Sequence, residues 1–161
     1  MTYEDIYSRS YMKKYDPSFY DDKEYAYELM KDWMKEIVAF PYVRKIFSSI
    51  AFDDDNGLLT YELVNSIDKD SDDEFVKKIF SDGFVICWMR PKVDSIVNLA
   101  VVIGGKDEKK IQSNYKISIE RLDSLERKLE KTICKYGYNK RFINWVINIY
   151  MEDFLKDKCY K

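Results

Sequence analysis

The chain has 161 residues, 46% of them hydrophobic and 35% charged, with a formal net charge of −2. That size fits one domain, and the balance excludes both a disordered chain and a membrane-embedded one. It also lacks the basic excess of a general nucleic-acid binder.

Five Gly and three Pro among so many Leu, Ile, Lys and Glu favour helix over sheet. The expected fold class is all-α. It is a helical bundle of about five to seven helices, ending in a long C-terminal amphipathic helix pair, with residues 1–161 as one helical domain. Thr2-Tyr3-Glu4-Asp5 reads as a helix start: Thr2 caps, and the acids sit at the positive end of the dipole. The helix should run to Tyr15 and stop at Asp16-Pro17. Asp21 or Asp22 caps a second helix with a face of Tyr25, Leu29, Trp33, Ile37 and Phe40. Pro41 breaks it, and Val43, Ile46, Phe47 and Ile50 predict a further short helix over 42–50.

Residues 52–57 form an acidic turn, 58–67 a short helix, and 68–73 a second acidic loop. Between Asp53 and Glu74 stand nine acids against Lys69, so 52–74 is the most polarised segment. Ser71-Asp72-Asp73-Glu74 is a capping box for an apolar helix over Phe75–Met89, carrying Phe75, Val76, Ile79, Phe80, Phe84, Ile86, Cys87 and Trp88. Helices apolar on most sides belong in the centre of a bundle or an oligomer, and a monomer would struggle to cover this one. Pro91 should kink or end it. Residues 92–103 resume as helix, with 97–103 also a strand candidate.

Gly104-Gly105 is a stop, and 106–114 is polar and partly loop. Leu122, Leu125, Leu129 and Ile133 define a long amphipathic helix over 115–136, with Gly137 at its C′ position. Asn139 caps a last helix over about 140–156; residues 138–161 are a C-terminal extension.

The chain has no His, which removes the commonest general acid/base and zinc ligand. Cys87, Cys134 and Cys159 are odd in number and widely spaced, consistent with free thiols; Cys87 falls in an apolar run and reads as core. The opening residues do not form a signal peptide, and no apolar run reaches the ~20 residues of a membrane span. Asp53–Gly57 fails as a calcium loop. With Gly57 at position 6, Phe52 and Leu63 fall where Asp and Glu ligands are required. Ile103-Gly104-Gly105-Lys106 is no phosphate loop, since Asp107 replaces the magnesium-binding hydroxyl. Glu120, Asp123, Glu126 and Glu130 lack the histidines of a di-iron bundle and alternate with Arg127, Lys128 and Lys131. No catalytic, cofactor-binding or metal residue is assigned, and no enzyme activity is expected.

One resemblance covers half the chain. The carrying residues are Leu59-Thr60-Tyr61-Glu62-Leu63, Asp72-Asp73-Glu74-Phe75-Val76 and Gly83-Phe84-Val85-Ile86-Cys87-Trp88. Pro91-Lys92-Val93-Asp94-Ser95, Gly104-Gly105-Lys106-Asp107 and Tyr136-Gly137-Tyr138 follow. Over Leu59–Tyr138 the chain resembles a family of small structural proteins of tailed bacteriophages, found in the head–tail connector, or neck. Its opening, Thr2–Ser8, is also similar. Where relatives carry a histidine ahead of the long helix, this chain has Gln112-Ser113-Asn114-Tyr115.

The resemblance implies a helical virion structural protein, made in the host bacterial cytoplasm and placed in the neck. Copies would form a homo-oligomeric adaptor ring beneath the portal, twelve by analogy with portal symmetry. Portal protein and other neck and tail proteins would be its neighbours, with passing contact to DNA in the lumen and none to membrane. Fourteen Tyr suit such interfaces, although half-buried positions on amphipathic helices are the favoured explanation of them. Candidate interface residues are Asp53, Asp54, Asp55, Asp72, Asp73, Trp88, Tyr136 and Tyr138. The acids would face a basic neighbour or line the lumen, against the alternative of solvated loops. The competing function is a small regulatory or host-interaction protein that binds one partner through 52–74.

Overall fold

The computed structural model describes residues 1–103 and 108–136, and the side chains of residues 1–95 and 116–136. The glycine stop at 104–105, the cap at Gly137, Tyr138, Cys159 and the terminal helix all lie outside the described residues.

Helix α1 (Tyr3–Ser8) begins as its sequence dictates. Thr2 accepts from the Asp5 N–H at 3.1 Å, and the Asp5 carboxylate takes the Thr2 N–H in return. The expected single helix to Tyr15 is two. The chain leaves α1 at Arg9, whose freed carbonyl is taken by the buried Ser81 hydroxyl at 3.0 Å. Ser10 Oγ then accepts from Met12 N–H to open α2 (Met12–Tyr15), which ends at Asp16. Helix α3 (Lys23–Ala39) is capped by Asp22. Its buried arc is Ala26, Met30, Trp33, Met34 and Ile37, rotated from the expected face: Tyr25 is 65% exposed. Met30 and Met34 fill the interior where periodicity favoured Tyr25 and Leu29. Pro41 opens a four-residue α4 (Pro41–Arg44).

The all-α expectation fails next. Strands β1 (Phe47–Asp53) and β2 (Leu58–Leu63) form an antiparallel hairpin in place of the two predicted short helices, so the fold is mixed: largely helical with a two-stranded sheet. The acidic turn itself is present. Asp53 accepts from Asn56 N–H at 3.1 Å and from Asn56 Nδ2 at 2.8 Å, and Gly57 adopts φ +62°, which a side chain would resist. Such a turn between two β-branched and aromatic runs closes a hairpin. Alternation then puts Leu59 in the core and half-buries Ile50, Phe52, Tyr61 and Leu63, leaving Ser49, Ala51, Thr60 and Glu62 in solvent.

Helix α5 (Lys69–Ile103) is capped by Asp68, three residues before the expected cap at Ser71. Asp68 accepts from Ser71 N–H at 2.9 Å and from Ser71 Oγ at 2.7 Å. It runs through Pro91, and 97–103 is helix, not strand. Helix α6 (Glu108–Lys135) takes in the stretch expected to be partly loop and buries Leu129 and Ile133. Helix α5 contacts α1, α2, α3 and α6. Phe75, Val76, Ile79, Phe80, Phe84, Val85, Ile86, Cys87 and Met89 are all buried within one chain. The apolar helix therefore needs no second copy to cover it, contrary to the sequence expectation.

Helices α3 and α5 approach closely at Gly83, where an added Cβ would lie 2.6 Å from Ile37 Cδ1. Gly83→Ala is expected to destabilise by about 1–2 kcal/mol in urea unfolding, overpacking outweighing the helix-propensity gain. In the Ile37→Ala background the same change should cost far less, giving a clear coupling energy.

Candidate functional site

The residues singled out in the sequence gather at three places. At the hairpin tip, the Tyr3 hydroxyl donates to Asp54 Oδ1 at 2.8 Å, and Lys35 Nζ lies 2.5 Å from Asp54 Oδ2. Those two bonds hold the Asp54 carboxyl below its ordinary range, and the Asn56 bonds do the same for Asp53. The Asp55 side chain is exposed and makes no side-chain contact among the described residues.

The second place is the junction of the hairpin with the start of α5 and the end of α6. The Tyr61 hydroxyl donates to Asp73 Oδ1, and the Tyr136 hydroxyl to Asp72 Oδ1 at 2.5 Å. Asp72 also accepts from Ile67 N–H at 3.0 Å, and the Tyr136 ring stacks on Phe75 at 3.6 Å and 4°. Burial and the adjacent carboxylates push both phenols far up, so each acts as a donor and never as a base. Asp72 is buried, which raises its pKa. The bonds from Ile67 N–H, the Ser66 side chain and Tyr136 outweigh that effect and leave it lowered.

The third place is Trp88, half-buried on α5. Its Nε1 donates to Asp16 Oδ2 at 3.4 Å, Lys92 Nζ stands 3.5 Å from its ring centroid, and Tyr15 tilts against it. Asp72, Asp73 and Tyr136 thus come together, while the acids of the turn lie at the hairpin tip and Trp88 lies farther along α5.

Sequence reading missed the partners: Tyr3, Lys35, Tyr61 and Asp16. It also missed Arg90, which bonds Glu126 Oε1 at 2.7 Å through Nη2, reaches Glu36 at 3.3 Å, and covers the Phe40 ring at 4.3 Å. The one available signal was a lone cation closing an apolar run just before Pro91. Burial pushes the Cys87 thiol up to about 12, so it is inert core, as its apolar run suggested.

Two grooves flank the junction. One of about 440 Å³ runs along β2 beside Met1, Lys69, Asp72 and Asp73. Another of about 480 Å³ lies between Tyr42, Ile46, Val64 and Ile133. Among the described residues no three His, Cys, Asp or Glu side chains converge as a metal site, and no helix is long and apolar enough to cross a membrane. The Tyr–Asp pairs act as joints between elements. Compared with known proteins, the chain matches no family model, no curated protein and no solved structure.

Two expectations follow. The folded-state pKa of Asp72 lies below its ordinary value of about 3.9, so its contribution is complete above that value and lost as pH falls through the folded pKa. Urea stability should be level from neutral pH to about 5 and decline below it. Asp72→Asn should cost about 2 kcal/mol at pH 7, the scale of a bond to a buried charge, and make the acid decline shallower. Trp88→Ala should cost roughly 2 kcal/mol by the same measurement, less than a fully buried tryptophan, because part of the ring is already in water.

Proposed function

We propose that the protein is a structural component of a tailed-phage particle, a subunit of the connector ring between portal and tail that acts by assembly and carries out no catalysis. The support is the resemblance over Leu59–Tyr138 and the part its residues play in this chain. Phe75, Val76, Phe84, Val85, Ile86 and Cys87 are core, Gly83 permits the α3–α5 contact, and Tyr61, Asp72, Asp73 and Tyr136 tie the hairpin and α6 to α5. Many of the similar residues build the framework, and the observation that carries the reading is this overlap of motif and scaffold.

The alternative, a regulatory protein binding one partner through its acidic segment, draws less support. Asp53, Asp54, Asp72 and Asp73 are engaged within the chain.

Light scattering on the purified chain, alone and mixed with portal protein, tests the reading. The expected result is a closed oligomer of the 19.4 kDa chain, formed alone or on the portal. A mass that stays at one chain under both conditions would overturn it.

A further inference from the structure

The hairpin ends on both sides in unpaired backbone. In an antiparallel ladder, alternate residues turn their N–H and C=O groups toward the partner and away from it. Leu59 N–H donates to Met1 C=O at 2.8 Å, and the Met1 ammonium donates to Leu59 C=O at 3.1 Å; this pairing lies on the edge of β2 remote from β1. Val64 N–H, five residues on, donates inward to Ile46 C=O at 2.8 Å. Both bonds fix the parity: Leu59, Tyr61 and Leu63 face the outer edge. Met1 satisfies Leu59, and no described backbone reaches Tyr61 or Leu63. The β1–β2 register then turns Ser49, Ala51 and Asp53 inward and leaves Ile50 and Phe52 facing outward on β1, again with no partner among the described residues.

Exposed edges are normally guarded by lysine, proline or an inward charge. The stretch Ser48–Phe52 carries none of these, and the irregularity between Phe47 and Ser49 lies beyond the open pair.

We propose that the outer edge of β1 in one copy adds antiparallel to the outer edge of β2 in the next, Ile50 opposite Leu63 and Phe52 opposite Tyr61, forming one sheet across neighbouring copies. This deepens, and rests on, the ring reading above. Three observations select the second copy as occupant. The two open edges offer the same two-residue, i and i+2, donor–acceptor pattern. The groove of about 440 Å³ along β2 supplies the space for a strand. The register is set from within: sliding two residues one way sets Phe52 opposite Leu59, which Met1 already occupies, and two the other way leaves Tyr61 bare. In the chosen register Phe52 meets Tyr61 and Ile50 meets Leu63 on the half-buried face, while Ala51 meets Glu62 in solvent. Joining opposite edges of one sheet is a heterologous contact, which closes into a ring when its rotation permits.

The test uses the full chain with Cys134→Ser and Cys159→Ser. Ala51→Cys and Glu62→Cys are made in separate chains, purified, mixed and oxidised. The two positions form a non-hydrogen-bonded pair in the proposed sheet, close enough for a disulfide. A covalent dimer as the main product of the mixture, and only a trace with either variant alone, is expected. Ile50→Pro, which removes an outward N–H that the monomer does not use, should keep the helical circular dichroism and abolish assembly. If wild-type chains assemble but the mixture does not cross-link, this contact is wrong and the ring reading stands. If wild-type chains stay monomeric with and without portal protein, both fall. If Ile50→Pro fails to fold, the cross-link decides alone.

Discussion

Everything in this molecule is arranged around the burial of one helix. Residues 75–89 of α5 present apolar side chains in nearly every direction, so four other helices must be brought against them. The contact with α3 depends on the absence of a side chain at Gly83, which lets Ile37 of α3 lie against the α5 backbone. Ser81 and Arg90 are polar residues of this helix that bond to neighbouring elements, and each is matched. Ser81 takes the carbonyl freed where α1 ends, and Arg90 ties α5 to Glu36 of α3 and Glu126 of α6. The same packing on both flanks explains why α5 continues through Pro91, whose missing N–H would end a less supported helix.

Local rules were readable where they act alone. The Thr2 and Asp22 caps, the stop at Asp16, the acidic turn at Asp53–Gly57 and the Leu129–Ile133 stripe of α6 follow from neighbours a few residues apart. The hairpin was not readable because Val43, Ile46, Phe47 and Ile50 satisfy helical spacing while Ile50, Phe52, Leu59, Tyr61 and Leu63 also satisfy strand alternation. Pairing across the turn decides between them, and a single-segment period cannot see it. The α3 face was misjudged because Met30 and Met34 outcompete Tyr25 for the interior, a choice made by the shape of α5.

The candidate interface residues show the same division. Their acidity and aromaticity were evident, but their partners were not. Tyr3 and Asp54 are 51 residues apart, Tyr61 and Asp73 are 12 apart, and Tyr136 and Asp72 are 64 apart. A run of acids reads as an outward-facing patch until the phenols that bond it are located in space. Trp88 was taken from an apolar run, yet it lies at the rim of that run, under Lys92 and beside Asp16.

The way the hairpin is fastened divides the molecule into two tiers. The helical body is held mainly by a shared apolar core, with Arg90 to Glu36 and Glu126 and Tyr136 to Asp72 as its polar ties. The hairpin puts only Phe47 and Leu59 fully into that core and is otherwise fastened by polar bonds: Tyr3 and Lys35 to Asp54, Tyr61 to Asp73, and the backbone of Met1 to Leu59. The Asp54 carboxyl sits below its ordinary range, so its bonds weaken only as pH falls through that lowered pKa. With little of its surface in the core, the hairpin is the unit expected to open first, and its amides should exchange with solvent ahead of those of α3 and α5. A sheet edge offered to a neighbour would then be carried on the part of the subunit that can adjust its seating while the helical body stays rigid.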